Sequence, residues 1–278
     1  MIGGKTALYG VVGHPVAHSR SPQMHNAAFA RLGIDAVYLA LPVLPGALAE
    51  ALAGAHALGF QGLNVTVPHK QRALALCESV DRVAERVGAV NTLRRTALGW
   101  EGYNTDAPAV RELLEAAGVR TGTRALLIGA GGAARAAAFA LSELGAALAV
   151  TTRRPEAAEE LVHGLSPGPG PRPRTASYAA LLAEVAEAEV VVNGTSVGLD
   201  GHERGFAGIS FGPGQLAVDF VYGETAFLAA AARAGARLLR GEDILVRQGA
   251  LAFALFTGRG APEAEMAAAV AAAAESTK

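Results

Sequence analysis

One stretch of the chain constrains its fold more than any other, because it joins two apolar runs through a glycine turn and an alanine-rich segment. The stretch RALLIGAGGAARAAAFALSELGAALAVTT (124–152) has the order strand, turn, helix, strand. Two strands joined through a helix form a right-handed crossover in a parallel sheet. Strand and helix patterns alternate in this way along most of the 278 residues. We therefore predict an α/β fold with two α/β domains.

Patterns before this stretch agree with that prediction. The run ALYGVVG (7–13) is typical of a short buried strand, and GLNVTV (62–67) predicts another. Between them, SPQMHNAAFARLG predicts a helix with Ser21 as N-cap, Pro22 at the first helical position and Gly33 at its end.

Two later stretches need separate interpretation. The Pro/Gly-rich segment GLSPGPGPRPR (164–174) is predicted to be a solvated loop inside a domain, since strand and helix patterns continue on both sides. The alternative is a linker between domains. After Pro262, Glu263 and Glu265 precede an alanine run, which predicts a helix rather than a membrane span.

Composition argues against several classes of partner. The formal net charge of −1 gives no electrostatic basis for binding nucleic acid or an anionic membrane surface. Charges interrupt the apolar stretches well before the ~18 residues that a membrane span needs. The first residues lack the basic start and apolar core of an export signal, and the single cysteine, Cys77, fits a reducing compartment. We expect a cytoplasmic protein.

The histidines do not predict a metal site. His14 and His18 are four positions apart, but Pro15 prevents a helix that would bring them to one face, so we expect no metal. His25 and His69 are interpreted as hydrogen-bonding neighbours of other functional residues rather than as catalysts.

The glycine turn is the first chemical signal. Gly129, Gly131 and Gly132 lie directly after an apolar strand and at the start of a helix. Unpaired backbone N–H groups and the positive end of the helix dipole suit a pyrophosphate there, and glycine lets the backbone approach it. This predicts a dinucleotide cofactor. The alternative is that the glycines serve only tight packing of helix against strand.

The end of the next strand indicates which dinucleotide. Thr151-Thr152-Arg153-Arg154 stands where the adenosine ribose would lie, and no acidic residue follows until Glu156. Guanidinium groups pair with a 2′-phosphate, so the sequence favours NADP over NAD. Two solvated arginines are the alternative.

Asparagine is scarce and its placement is uneven. Of the five asparagines, Asn26 lies in the first predicted helix, and the others follow or end predicted strands: Asn64, Asn91, Asn104 and Asn193. Ligands of open α/β sheets bind at the carboxyl ends of strands, where neutral amides can recognise hydroxyl groups. Turn chemistry is the alternative for each one alone.

Eight motifs occur in a recognisable order: GHPVAHSRSPQMHNAAF, GLNVTVPHK, GAVNT, GYNTD, GAGGAA, NGTSVG, DFVYGE and GEDILVRQGALAF. With them the chain resembles the shikimate dehydrogenase family over essentially its whole length. The resemblance implies a parallel-sheet substrate-binding domain formed by residues 1–106 and 242–278. It also implies a Rossmann-like NADP-binding domain over residues 107–241. The implied reaction is the reversible, NADPH-dependent reduction of 3-dehydroshikimate to shikimate in aromatic amino acid biosynthesis.

The resemblance also implies roles for individual residues. The catalytic pair would be Lys70 and Asp106. The substrate would be bound by its carboxylate at Ser19 and Ser21 and elsewhere by Thr66, Asn91, Tyr222 and Gln248. The cofactor would be bound by Gly129, Ala130, Gly131, Gly132, Ala133, Thr152, Arg153, Arg154, Thr195, Phe220 and Gly241. The family pattern has a single arginine at the second strand of the cofactor domain, so Arg154 is a departure from it, and Ile244 replaces a usual methionine.

Lys70 stands out because the chain uses arginine almost everywhere else. The 24 basic residues include only three lysines, and Lys5 and Lys278 lie near the chain ends. Proton transfer to an alkoxide requires a group that can lose its proton near neutral pH, which lysine can do and arginine cannot. The alternatives are that Lys70 only supplies charge, or that Asp106 transfers the proton.

Two further functions stay open at this point. One is a quinate/shikimate dehydrogenase of the same family, and the other is an NADP-sensing module without turnover. The expected partner is a small-molecule substrate, and the expected assembly is a monomer or a homodimer.

Overall fold

The computed structural model describes residues 2–198 and 206–275. It has the predicted α/β fold and consists of two compact units, Met1–Thr105 with Leu245–Lys278, and Asp106–Ile244. The roles that the family resemblance assigns to the two units remain predictions at this stage.

Strands and helices alternate along both units. The strands are β1 (Ala7–Gly13), β2 (Ala36–Pro42), β3 (Phe60–Val65), β4 (Ser79–Val80), β5 (Thr92–Arg95), β6 (Trp100–Tyr103), β7 (Arg124–Ile128), β8 (Ala147–Thr151), β9 (Arg174–Thr175), β10 (Val190–Asn193), β11 (Leu216–Asp219) and β12 (Arg237–Leu239). The helices are α1 (Ser21–Leu32), α2 (Leu48–Ala57), α3 (Lys70–Leu74), α4 (Arg82–Val87), α5 (Asp106–Ala116), α6 (Gly132–Glu143), α7 (Pro155–Gly164), α8 (Leu181–Glu187), α9 (Ala226–Arg233), α10 (Gly241–Thr257) and α11 (Glu263–Glu275).

The first unit is built on a six-stranded sheet of order β2-β1-β3-β5-β6-β4. β1 is parallel to β2 and β3, and β4 is parallel to β6, in agreement with the predicted parallel sheet, but β5 is antiparallel to both β3 and β6. The short loop 96–99 between β5 and β6 permits a hairpin and no crossover, which accounts for the antiparallel pairing of these two strands. Because β5 also runs antiparallel to β3, the amino end of β5 lies at the same edge as the carboxyl ends of β1 and β3.

Helix α1 begins one residue earlier than its sequence suggested. Its N-cap is Arg20, and Ser21 is its first helical residue, so the prediction of Ser21 as N-cap is wrong. The chain enters the helix early because the Ser19 Oγ already accepts the Ser21 backbone N–H, at 3.3 Å. Gly33 ends the helix in the left-handed conformation, with φ of 64°, as predicted.

The second unit has a six-stranded parallel sheet of order β12-β11-β10-β7-β8-β9. The chain order reverses between β7 and β10, which are neighbours in the sheet, and such a reversal opens a crevice at the carboxyl ends of the two strands. Helix α6 packs closely there, since a methyl group on Gly194 would lie 2.8 Å from the Ala134 Cβ. The strand order therefore places the glycine turn at the ligand-binding edge of an open α/β sheet.

The Pro/Gly-rich loop 164–174 lies inside the second unit, as predicted, and joins α7 to β9. It packs on the end of α6: methyl groups on Gly168 and Gly170 would overlap the carbonyl oxygens of Ser142 and Gly145. Its glycines therefore permit close backbone approach. Across the part of the chain that the structure describes, no helix is both long and apolar enough to cross a bilayer.

Candidate active site

Two predicted substrate-binding segments leave the first sheet side by side. β1 ends at Gly13 and β3 ends at Val65. The Thr66 N–H donates to the Val12 carbonyl at 2.9 Å, and the His14 N–H donates to the Val67 carbonyl at 3.0 Å. These bonds join the loop that leads to Ser19 and Ser21 to the segment that carries Thr66 and Lys70.

Gly13 allows this close approach. A methyl group on Gly13 would overlap the Thr66 Cγ2 and would lie 3.2 Å from the Val67 carbonyl oxygen. Any other residue at position 13 would therefore displace Thr66 or turn its hydroxyl away from its present direction.

Lys70 is the first residue of α3, and its side chain is partly exposed. Its carbonyl accepts the Val90 N–H at 2.9 Å, which ties α3 to the segment that carries Asn91. The preceding residue, His69, is buried, and its Nε2 hydrogen-bonds to the Val43 carbonyl at 2.7 Å. His69 therefore supports the segment through the hydrogen-bonding role that its sequence suggested.

Asn91 is the centre of a buried hydrogen-bond network at the amino end of β5. Its Oδ1 accepts the Thr105 N–H at 2.7 Å and the Thr92 hydroxyl at 3.1 Å. Its Nδ2 donates to the Thr105 Oγ1 at 3.0 Å and to the Gln248 Oε1 at 3.4 Å. The structure thus brings together two predicted substrate-binding amides that are 157 positions apart in the chain.

Asn64, next to the last residue of β3, stabilises this network with its own side-chain hydrogen bonds. Its Oδ1 accepts the Tyr38 hydroxyl at 2.7 Å, and its Nδ2 donates to the Asn91 carbonyl at 3.2 Å and to the Thr92 Oγ1 at 3.0 Å. Tyr38, Thr92 and Thr105 were not identified from the sequence. The threonine that follows asparagine in both AVNT and GYNT is the sequence signal that could have indicated two of them.

The environment of His25, a residue of α1, differs from the one that we predicted from the sequence. It is 0% exposed, stacks on Tyr38 with ring centroids 4.3 Å apart, and contacts Phe29 and Phe253. Neither ring nitrogen has a hydrogen-bond partner among the described residues, so the prediction of a hydrogen-bonding neighbour is wrong. Burial among aromatic rings lowers the pKa of the imidazole to about 3, and the ring is therefore neutral.

Asp106 directly follows the network residue Thr105 in the chain and opens the second unit. It is the first residue of α5 and is 5% exposed. Tyr222, the other predicted substrate-binding residue of this unit, is half-buried in the loop after β11.

Across residues 2–198 and 206–275, no group of three or more His, Cys, Asp or Glu side chains could hold a metal ion.

The glycine turn after β7 fits a bound phosphate group. Gly129 has φ of 117°, and its N–H donates to the Thr151 carbonyl at 2.8 Å. A methyl group on Gly129 would lie 3.0 Å from the Gly194 carbonyl, whereas one on Gly131, the N-cap of α6, would meet nothing within 4 Å. Ala130, Gly132 and Ala133 complete the turn and the start of α6. The turn thus has no room for a side chain at Gly129, whereas the space beside Gly131 at the start of α6 is free. A pyrophosphate would lie in that space.

The end of β8 carries exposed cations. Thr152, Arg153 and Arg154 follow β8, and both arginines are exposed. In the described part of the chain neither guanidinium has a carboxylate partner, whereas Arg174 of the same unit pairs with Glu184 at 2.6 Å. Both groups can therefore accept a phosphate without breaking an existing ion pair.

The other predicted cofactor residues lie after β10 and β11. Thr195 donates its hydroxyl to the Asn193 Oδ1 at 2.7 Å. Phe220 packs partly exposed on the core. Gly241 begins α10, and a methyl group there would lie 2.7 Å from the Val221 carbonyl oxygen. Asp219 between these loops is fully buried, and its burial raises the pKa of the carboxyl group.

Comparison with known proteins gives similarity over nearly the whole chain. Family models match residues 11–93 (shikimate dehydrogenase substrate binding domain) and residues 241–271 (shikimate 5′-dehydrogenase C-terminal domain). The shikimate dehydrogenase (NADP(+)) of Anaeromyxobacter sp. (strain K) is 65% identical over 268 residues, 96% of either chain.

Solved structures agree with this result. Shikimate 5-dehydrogenase from Thermus thermophilus, in complex with NADP(H) and shikimate, is 37% identical with a TM-score of 0.85, covering 96% of this chain and 100% of its own. Quinate dehydrogenase from Corynebacterium glutamicum, in complex with NAD, is 29% identical with a TM-score of 0.85, covering 96% of this chain and 99% of its own. The similarity therefore extends through both units.

Proposed function

Because this chain belongs to the shikimate dehydrogenase family, we propose that it is an NADP-dependent oxidoreductase that reversibly reduces 3-dehydroshikimate to shikimate. The observation that carries this proposal is the identity to an NADP-dependent relative over almost the full length of both chains. The reaction belongs to aromatic amino acid biosynthesis.

The polar edge of the first sheet supplies suitable groups for the substrate. Ser19 and Ser21 lie at the amino terminus of α1, where hydroxyl groups and the helix dipole favour a carboxylate. Thr66 and Gln248 would bind the ring hydroxyls together with Asn91, whose amide is oriented by its buried partners. Tyr222 would complete the substrate contacts.

The second unit supplies suitable groups for NADP. The turn from Gly129 to Ala133 would hold the pyrophosphate, while Thr152, Arg153 and Arg154 would hold the ribose 2′-phosphate. Thr195, Phe220 and Gly241 would contact the remainder of the cofactor. When bound, the dinucleotide would supply the hydride for reduction of the substrate carbonyl carbon and would take up a hydride in the reverse reaction.

The acid–base chemistry falls to Lys70 and Asp106. In reduction Lys70 gives a proton to the substrate oxygen, and in oxidation it takes that proton back. Asp106 would accept a hydrogen bond from the reacting hydroxyl group and stabilise the lysine ammonium. Transfer by Asp106 itself is the alternative assignment.

One assay tests the function. Purified protein is given shikimate or quinate with NADP+ or NAD+, and kcat/KM is measured for each pair. Shikimate with NADP+ should be the best pair, because quinate adds a hydroxyl group beside the carboxylate that must be desolvated or accommodated by strain. Equal efficiency with quinate would instead establish the dual-specificity enzyme, which the likeness to a quinate dehydrogenase keeps open. Absence of turnover with every pair would leave an NADP-sensing module.

The protein's location and assembly also belong to this proposal. A cytoplasmic location agrees with the single cysteine, which fits a reducing compartment. We propose a monomer or a homodimer, which light scattering on the purified protein distinguishes by mass.

A further inference from the structure

Asp219 ends β11, and its buried carboxylate holds three residues, one at the end of β10 and two in the connection between β11 and α9. It is 0% exposed, and a buried carboxylate is costly unless donors satisfy its oxygens. Asn193, Val221 and Thr225 supply those donors. The proposed reaction does not use Asp219 directly, so the reason for placing a carboxylate here lies in what these donors carry.

The first donor, Asn193, links Asp219 to the loop after β10. The Asn193 Nδ2 donates to the Asp219 Oδ1 at 2.8 Å, which leaves the Asn193 Oδ1 pointing to the opposite side. That oxygen accepts both the Thr195 N–H, at 3.0 Å, and the Thr195 hydroxyl, at 2.7 Å. The Thr195 Oγ1 in turn accepts the Val197 N–H at 3.1 Å. The carboxylate thus fixes the conformation of a proposed cofactor contact through one amide.

The second donor leads to the loop after β11. The same Asp219 Oδ1 accepts the Val221 N–H at 3.0 Å. Two residues further on, the Gly223 N–H donates to the Glu242 Oε1 at 2.8 Å. Carboxylates therefore hold the backbone on both sides of Tyr222, a proposed substrate contact.

The third donor is different, because it serves a helix rather than a loop. Thr225 donates its hydroxyl to the Asp219 Oδ2 at 2.7 Å, and its Oγ1 accepts the Leu228 N–H at 3.1 Å as the N-cap of α9. The two oxygens of Asp219 thus divide their tasks. Oδ1 holds the two loops, and Oδ2 holds the start of α9.

We propose that Asp219 is a positioning residue that sets the Thr195 loop and the Tyr222 loop together, so that one carboxylate determines a cofactor contact and a substrate contact. The inference rests on the proposed function, since Thr195 and Tyr222 contact ligands only in a working dehydrogenase. Only an ionised carboxylate accepts hydrogen bonds at both oxygens and donates none, which suits a group surrounded by donors.

The test compares Asp219→Ala with a variant of the same cluster that spares Oδ1. Thr225→Val removes the hydroxyl at Oδ2 and the cap of α9, so it lowers stability but leaves both loop contacts in place. For each protein we would measure the dissociation constant of NADPH by fluorescence, KM for shikimate, and the melting temperature. Amide hydrogen exchange of residues 193–198 and 220–223 would be measured without ligand.

Asp219→Ala should weaken NADPH binding and raise KM for shikimate by about tenfold or more each, with faster exchange in both loops. Thr225→Val should lower the melting temperature yet keep NADPH binding and KM for shikimate within about twofold of wild type. The proposal is wrong if Thr225→Val changes both constants as much as Asp219→Ala does, since the effect would then follow stability alone. It is equally wrong if Asp219→Ala leaves both constants unchanged.

Two further variants keep the test decisive if Asp219→Ala does not fold. Asp219→Asn retains one acceptor oxygen for the loops and should keep both constants within a few-fold of wild type. Asn193→Ala removes only the hydrogen bonds that connect Asp219 to Thr195, so it should weaken NADPH binding more than it raises KM for shikimate. Equal changes in the two constants with Asn193→Ala would contradict the separate branches. A wild type without turnover would refute the proposed function, while NADPH binding and exchange would still test Asp219.

Discussion

Lys70 is the residue at which the chemistry of the side chain matters most. Lys70→Arg keeps the positive charge but removes a group that can lose its proton near neutral pH. We expect kcat to fall by roughly 10²–10⁴, with KM for shikimate within a few-fold of wild type. Steady-state kinetics on protein with an unchanged melting temperature would measure this. A kcat close to that of wild type would assign proton transfer to Asp106 or to water.

Arg153 determines the choice of cofactor in our proposal. Loss of a charge-assisted contact to a phosphate costs roughly 1.5–3 kcal/mol, so Arg153→Ala should raise KM for NADP+ by about one to two decades. KM for NAD+ should hardly change, because NAD+ has no phosphate at this position. Arg172→Ala, at another exposed arginine of the same unit, is the matched control and should change neither constant. If wild type uses NAD+ as well as NADP+, the two arginines are only a solvated pair.

His25 makes stability depend on pH in a defined direction. Its pKa is about 3 in the folded protein and about 6.5 in an unfolded chain, so between these values only the unfolded state binds the proton. The free energy of unfolding therefore falls as pH drops below 6.5, by about 1.4 kcal/mol per pH unit. His25→Phe should reduce the loss of stability between pH 7 and pH 5 by about 2 kcal/mol. Urea unfolding at both pH values tests this, and an unchanged difference would show that His25 does not contribute.

At this scale the sequence indicated several candidate site residues but not their hydrogen-bond partners. Asn91 and Gln248 could be named from motifs, and the structure joins them. Tyr38, which orients Asn64, could not be found, because that pairing depends on which residues of distant strands face each other. The error for His25 has the same origin, since its neighbours come from α1, β2 and α10.

At the scale of elements, the junction of β1 and β3 depends on Gly13. Gly13→Ala should raise KM for shikimate severalfold and destabilise the protein by about 1–3 kcal/mol, because the added methyl group meets Thr66 and the Val67 carbonyl. Gly54→Ala is the control: it lies within α2 with nothing near its added methyl group, and should stabilise by about 0.5–1 kcal/mol. Denaturant unfolding and kinetics on both variants would be compared. An unchanged KM in Gly13→Ala would show that Thr66 does not need its present position.

Helices and strands were predicted well where the local residue pattern determines them. The direction of a strand was predicted poorly where the length of its connection determines it. The glycine turn and its flanking strands lie where expected, because apolar runs and glycines specify β7, α6 and β8 locally. The reversed direction of β5 was missed, because a short hairpin and a crossover both begin with a strand pattern. The start of α1 was misplaced by one residue through a side-chain contact of Ser19 that its residue type alone does not indicate.

At the scale of the whole molecule, the α/β fold was predicted from the alternation of strand and helix patterns and family membership from the order of eight motifs, and both are confirmed by relatives and solved structures. Our proposal that the second of the two compact units binds NADP also predicts where a bound cofactor slows hydrogen exchange. NADP+ at about one hundred times its dissociation constant stabilises the folded state that binds it by about 2.7 kcal/mol. Hydrogen exchange should therefore slow chiefly in the second unit, around β7, α6 and β10. Equal slowing throughout the mixed sheet of the first unit would contradict this expectation.

The first unit is assembled from two parts of the chain, with the whole second unit between them. During synthesis on the ribosome, residues 106–244 emerge before Leu245 and can fold as a unit while the first remains incomplete. Helix α1 packs against α11, and Arg31 of α1 forms an ion pair with Glu265 of α11. These contacts can form only after α11 has been synthesised. Asn91 likewise waits for Gln248. The nascent chain can therefore fold the unit proposed to bind the cofactor first, and the proposed substrate site becomes complete only after α10 and α11 have been synthesised.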